Sequence, residues 1–138
     1  MKRAFFAVAM LLFASSALAQ DKVQPNTVTL GAGRGLTSLA VTWNAPGDAC
    51  TNATVAEYDL RMSSSPITEC SFTGESSLSA PSPASPGTPH CVAVTGLTCN
   101  TTYYFAFKSK DSAGNWSDIS TLTVATRACN TSQEVECE

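Results

Sequence analysis

Hydrophobic and polar residues alternate along most of the chain that follows the first twenty residues. Leu39, Val41 and Trp43 alternate with Ala40 and Thr42. The same two-residue period recurs in four later segments: Tyr58 to Met62, Val92 to Val94, Tyr103 to Phe107 and Leu122 to Val124. A period of two predicts strands that bury one face, and the β-branched and aromatic residues in these segments favour strands as well.

Turn-forming residues separate these predicted strands. Ala45-Pro46-Gly47-Asp48, Ser65-Pro66 and Asp111-Ser112-Ala113-Gly114-Asn115 are the clearest cases. After the N-terminal apolar segment, no part of the chain shows the 3.6-residue period of an amphipathic helix. Several short strands broken by turns predict an all-β fold, an antiparallel sandwich of two sheets.

The N-terminus has the three-part layout of a secretory signal peptide. Lys2 and Arg3 precede an apolar run from Ala4 to Ala14, and Ala17-Leu18-Ala19 forms an A-x-A cleavage site. The run is shorter than the roughly 20 apolar residues that a membrane-spanning helix needs. We therefore predict cleavage after Ala19, no membrane span after cleavage, and a secreted or periplasmic product.

Six cysteines follow the predicted cleavage site. They are Cys50, Cys70, Cys91, Cys99, Cys129 and Cys137. An even number in a small exported chain predicts three disulfides. No Cys-x-x-Cys pair occurs, which disfavours a zinc site. The single histidine directly precedes Cys91, so the two side chains would point to opposite faces of a strand, which disfavours a catalytic thiolate.

Charge and composition narrow the function classes. Eight basic residues against eleven acidic ones give a net charge of −3, and only 14% of the residues are charged. A nucleic-acid-binding protein needs a dense basic face, so we expect no nucleic-acid partner. With one histidine and no G-x-S-x-G motif, we expect no enzyme, no metal site and no cofactor.

Several motifs resemble those of fibronectin type III domains. Leu39-x-Val41-x-Trp43-x-x-Pro46 is similar to the second strand of that family, and Leu97-x-Cys99-x-Thr101-x-Tyr103 is similar to its entry into the sixth strand. Asp111-x-Ala113-Gly114-Asn115-Trp116-Ser117 resembles the bacterial members. Cys99 occupies the usual proline position, so a disulfide would replace a fixed φ at that corner.

The resemblance implies a seven-strand, disulfide-stabilised, immunoglobulin-like sandwich over residues 20–127, preceded by the signal peptide at 1–19 and followed by an acidic tail at 128–138. It implies that Tyr103 packs its ring inward and donates its hydroxyl to the backbone of the preceding corner. The family's strand order also suggests three disulfide pairings. These are Cys50 with Cys91, Cys99 with Cys129 and Cys70 with Cys137.

Three segments lie outside the alternating pattern. Ser76 to Pro89 contains four prolines, which indicates an exposed connection and excludes a central strand. An extended docking segment for a proline-binding groove is the alternative. Gly31 to Gly35 favours a flexible turn, because its glycine spacing does not match a dinucleotide loop. The glutamates between Asn130 and Glu138 favour a solvated tail over a calcium site.

The resemblance implies a secreted, non-catalytic binding or interaction module that recognises a protein or a polysaccharide, and we expect a monomer. The alternative is a structural component of the cell envelope or extracellular matrix with no specific ligand. Loops at one end of such a sandwich carry recognition. The predicted binding residues are Trp116, Asn115, Asp118 and Asp48. Trp116 is either a binding residue or a side chain that folds back over the end of the sandwich.

Overall fold

The computed structural model describes residues 25–130 and 135–137, so the predicted signal peptide lies outside the described residues. These residues form seven strands, in chain order: β1 Gly31–Arg34, β2 Leu39–Asn44, β3 Glu57–Ser63, β4 Ser76–Leu78, β5 Pro89–Val94, β6 Thr102–Lys110 and β7 Ser120–Ala125. A short 3-10 helix, Phe72–Gly74, precedes β4. All strand pairs are antiparallel, in one sheet of order β1-β2-β5 and another of order β4-β3-β6-β7. The predicted two-sheet sandwich is confirmed.

The core lies between the two sheets and is built by the alternating positions. Leu39, Val41 and Trp43 of β2 face Leu60 of β3 and Phe105 of β6, and all five are at most 3% exposed. Each large apolar side chain buried here contributes about 1.5–3 kcal/mol. The two-residue period thus selects one buried face on each central strand.

A second, smaller core lies on the outer face of the four-stranded sheet. The connection between β3 and β4 folds back over this face and packs Ile67 and Phe72 against Ala106 of β6. Arg61 lies over the Phe72 ring at 5.3 Å, and its own carboxylate partner is Asp59 at 2.8 Å. The hydrogen bond to Asp59 raises the pKa of the Arg61 guanidinium. This connection is therefore fixed to the sheet.

Two segments that the sequence assigned to turns or connections contain strands. Gly31 to Arg34 is β1, because its backbone pairs in full register with β2, from Gly31 with Thr42 to Arg34 with Leu39. The expected flexible turn is wrong, since glycines remove the alternation that marks a strand and leave its backbone pairing intact. Ser76 to Leu78 forms β4, a strand at the edge of its sheet. The connection that we expected from Ser76 begins only after Leu78.

The disulfides differ from the expected set. Cys99 is bonded to Cys129 with Cα atoms 5.2 Å apart, as the resemblance implied. Cys91 is bonded to Cys137 with Cα atoms 5.6 Å apart, whereas Cys50 is free and exposed. The expected Cys50–Cys91 and Cys70–Cys137 bridges are wrong, and Cys70 is also free and exposed. Residues 135–137 cross the outer face of the three-stranded sheet, and there Cys137 meets Cys91.

We call residues 135–137, which run across this sheet, the C-terminal strap. The amide of Val135 donates to Ser38 Oγ at 3.1 Å, and Cys137 is bonded to β5 through Cys91. A Cβ placed on Gly33 would lie 2.7 Å from Val135 Cγ2 and 3.3 Å from Ala40 Cβ. The absence of a side chain at Gly33 therefore makes room for the strap.

The corner before β6 is tied by the Tyr103 side chain. Its hydroxyl accepts a hydrogen bond from the Thr98 amide at 3.0 Å, so the expected direction of donation is wrong. A backbone N–H can only donate a hydrogen bond, so the hydroxyl oxygen of Tyr103 is the acceptor. Thr126 Oγ1 donates to the Thr98 carbonyl at 2.7 Å and accepts from the Thr101 amide at 3.0 Å.

Candidate functional site at the loop end of the sandwich

Three connections meet at one end of the sandwich, which we call the loop end. They are residues 45–56 between β2 and β3, residues 79–88 between β4 and β5, and residues 111–119 between β6 and β7. The Ala45 amide donates to the Thr88 carbonyl at 2.7 Å, and the Ala56 amide donates to the Lys110 carbonyl at 2.7 Å. Backbone hydrogen bonds therefore join the connection between β2 and β3 to the connection between β4 and β5 and to the last residue of β6.

Trp116, a predicted binding residue, is half-buried at the loop end. It forms a backbone bridge with Lys110, and the ammonium of Lys110 lies 5.0 Å from the centre of the Trp116 ring. Lys110 also forms an ion pair with Glu57 at the start of β3. An ammonium at this distance is attracted by the negative face of the ring, so the contact holds the orientation of the indole.

Asn115 supports the turn that carries Trp116. Its side-chain amide donates to Asp111 Oδ2 at 2.9 Å, and its backbone amide donates to Asp111 Oδ1 at 2.8 Å. These hydrogen bonds from Asn115 hold the pKa of the Asp111 carboxyl below its usual value, and burial opposes them. The binding role of Asn115 stays a prediction, and its side-chain amide already donates to Asp111 within the loop.

The two predicted carboxylates lie on different connections of the loop end. Asp48 Oδ1 accepts from the Cys50 amide at 2.8 Å, so it stabilises the turn after β2. Asp118 is exposed, and its backbone carbonyl accepts from Ser117 Oγ at 2.9 Å. In the described part of the chain, the two carboxylates share no hydrogen-bond partner. The structure places them at the same end and does not join them.

A shallow groove that sequence reasoning missed lies beside the connection between β2 and β3. Its cavity volume is about 500 Å³. It is lined by residues 26–29, Asn44 to Gly47, Asn52, Pro86 and Gly87. These residues come from four separate stretches of the chain, so no local motif could have indicated the groove. The antiparallel pairings of β1 with β2 and of β2 with β5 bring these stretches together.

An aromatic cluster lies beneath the loop end. The Tyr58 hydroxyl lies 3.4 Å from His90 Nε2, and the Trp43 and His90 ring centres are 5.4 Å apart. Burial raises the pKa of Tyr58, while a hydrogen bond from the Ala84 backbone opposes the shift. The histidine therefore packs against the rings of Trp43 and Tyr58.

Across residues 25–130 and 135–137, no group of three or more His, Cys, Asp or Glu side chains is placed to hold a metal ion. The same ranges contain no helix with the length and apolarity needed to cross a bilayer.

The comparison with protein families assigns the domain. The family model described as the purple acid phosphatase N-terminal domain matches residues 25–124, which include all strands except the last residue of β7. The chain belongs to this family. The fold of this family is fibronectin type III-like, as the sequence motifs implied, and the family is named for the N-terminal domain of a phosphatase.

The chain is also similar to part of two curated chitinases. It is 37% identical over 91 residues to chitinase Chi52 of Paenibacillus xylanexedens, and 36% identical over 91 residues to chitinase D of Niallia circulans. Each match covers 65% of this chain and 14% of the chitinase. The chain thus spans about a seventh of the length of these relatives.

Two solved structures are similar to this chain. Chitinase ChiA74 from Bacillus thuringiensis matches with a TM-score of 0.51 and 24% identity, over 75% of this chain and 14% of that chain. A fibronectin type III domain from the human KIAA0970 protein gives a TM-score of 0.49 and 10% identity, over 75% of each chain.

Proposed function

We propose that this chain is a non-catalytic module that binds an insoluble polysaccharide through its loop end, with Trp116 as the central contact. The similarity to a short part of two chitinases supports a role beside polysaccharide rather than in the cleavage reaction. It favours chitin as the polymer. The observation that carries the proposal is the half-buried Trp116 ring, which Lys110 holds in place at the loop end.

The fixed ring suits this role for a physical reason. An indole offers a flat, polarisable surface, and tryptophan is enriched among the residues that dominate binding energy. Lys110 and the backbone bridge restrict the orientation of Trp116 before any ligand arrives. Less conformational freedom is then lost on binding, which favours affinity.

The experiment measures binding of the purified chain to colloidal chitin, with Trp116→Ala and Trp116→Phe as variants. We expect Trp116→Ala to lower the affinity about tenfold, on the order of 1.4 kcal/mol, and Trp116→Phe to keep most of it. Tyr104→Ala is the matched control. Tyr104 is also a half-buried aromatic residue, but it lies on β6, near the end of the sandwich opposite to Trp116.

The outcomes separate recognition from packing. A wild-type chain that does not bind chitin would overturn the proposal and favour a structural spacer without a ligand. A Trp116→Ala variant that loses 2 kcal/mol or more of stability, while its folded fraction binds as well as the wild type, would assign Trp116 to packing.

We also propose that the chain acts outside the cytoplasm, secreted or periplasmic, with residues 1–19 as a cleaved signal peptide, 20–127 as the domain and 128–138 as the tail. Two disulfides fit an oxidising compartment. Intact-mass analysis of the protein from its producing cell tests this proposal. A mass that retains residues 1–19 would contradict it.

A further inference from the structure

We infer that the shallow groove beside the connection between β2 and β3 binds a neutral, N-acetylated segment of the glycan chain. This inference rests on the proposed polysaccharide-binding function and adds a second contact region with the residues that form it.

No charged residue lines the groove. Its lining includes three asparagines and two threonines beside four apolar residues: Asn26, Asn44, Asn52, Thr27, Thr29, Val28, Ala45, Pro46 and Pro86. An anionic or cationic polymer would lose hydration there without meeting an opposite charge. A neutral glycan offers hydroxyl and acetamido groups, which both donate and accept hydrogen bonds, as side-chain amides do.

The amide groups have free hydrogen-bonding capacity. Among the described residues, no hydrogen bond engages the side-chain amides of Asn26, Asn44 or Asn52, and all three residues are exposed. Each amide carries two donor hydrogens and one acceptor oxygen. The backbone of Asn26 is nevertheless fixed, because its amide donates to the Gly47 carbonyl at 3.3 Å. The side chains therefore project from an ordered backbone.

The walls of the groove are conformationally restricted. Asn52 has a φ of 52°, and its side chain lies against Gly47, where a Cβ would collide with it. The Gly87 amide donates to the Ala45 carbonyl at 2.9 Å, and Gly87 adopts a φ of 87° that glycine tolerates. A preformed groove of about 500 Å³ falls within the size range of small-ligand sites, roughly 300–1,000 Å³.

Isothermal titration with soluble oligomers of N-acetylglucosamine tests the inference. We expect the double variant Asn26→Ala/Asn44→Ala to lose about tenfold or more in affinity, since each neutral hydrogen bond contributes about fivefold. Both residues are exposed, so circular dichroism should show an unchanged fold. The matched control is Asn130→Ala, which removes an exposed asparagine at the opposite end of the sandwich. We expect its affinity to equal that of the wild type.

The outcomes distinguish the groove from the function itself. The double variant could keep the wild-type affinity while Trp116→Ala lowers it. That result would overturn the assignment of the groove as a binding site and would leave the proposed function in place. Equal wild-type affinity for the fully deacetylated, cationic oligomers would also overturn the neutral ligand class. A wild-type chain that binds neither the oligomers nor colloidal chitin would overturn both proposals.

Discussion

Tyr103 shows how one polar atom fixes the corner that leads into β6. Its ring packs against the main core, and its hydroxyl accepts from the Thr98 amide at the surface. The residue after Thr98 is Cys99, which is bonded to Cys129 beyond the end of β7. The corner is therefore held by a side-chain hydrogen bond and by a covalent link.

Replacing Tyr103 with phenylalanine removes the hydroxyl and leaves the ring. We expect a loss of about 0.5–1.5 kcal/mol in the free energy of unfolding, because the Thr98 amide loses its protein partner. Tyr104→Phe is the control, since the described residues give its hydroxyl no hydrogen bond. Urea unfolding of both variants measures the difference. Equal losses in the two variants would contradict this account.

Asp111 gives the turn before Trp116 a pH dependence. Its pKa is lowered in the folded chain, so its contribution to stability is complete above the ordinary aspartate pKa of about 4. The contribution is lost as the pH falls through the lowered value. We expect the difference in Tm between wild type and Asp111→Asn to shrink as the pH falls below about 4.

At the scale of elements, the sequence predicts the strands whose side chains alternate and misses those that lack the alternation. Trp43, Leu60 and Phe105 mark β2, β3 and β6 because each is a large side chain on a buried face. Gly31 to Arg34 carries no such signal, since strand pairing there depends on backbone groups alone. The groove was not predictable either, because its asparagines become neighbours only after the strands pair.

Gly33 lies in β1, a strand that the alternation did not predict. Its lack of a side chain makes room for the C-terminal strap, and this effect can be measured. We expect Gly33→Ala to displace Val135, because the added Cβ would lie 2.7 Å from Val135 Cγ2. Amide hydrogen exchange at Val135 should accelerate, since its hydrogen bond to Ser38 Oγ weakens. Gly74→Ala is the control, because no atom lies within 4 Å of its added Cβ. Unchanged exchange at Val135 would contradict the contact.

At the scale of the whole molecule, four of the six cysteines form two disulfides, and Cys50 and Cys70 are free. Cys99–Cys129 and Cys91–Cys137 both attach the chain that follows β7 to the sandwich. Their loops span 30 and 46 residues, so each restricts the unfolded chain considerably. The even number of cysteines predicted three disulfides. That number could not show that Cys137 lies beside β5.

A thiol-reactive reagent counts the free cysteines directly. We expect two reactive thiols per folded chain, from Cys50 and Cys70, which are exposed. The variant Cys50→Ser/Cys70→Ser should keep the wild-type free energy of unfolding. Cys91→Ser/Cys137→Ser should lose about 4 kcal/mol in the chain-entropy model. Zero reactive thiols in the folded monomer would show a third bridge and contradict the assignment.

The bond between Cys91 and Cys137 also determines how the molecule responds to mechanical tension. A force applied at residue 137 enters the sandwich through β5, in the middle of the chain, and the segment between the two cysteines carries no load. β6 and β7 lie within that segment, so pulling from this side cannot peel them away until the sulfur–sulfur bond is reduced.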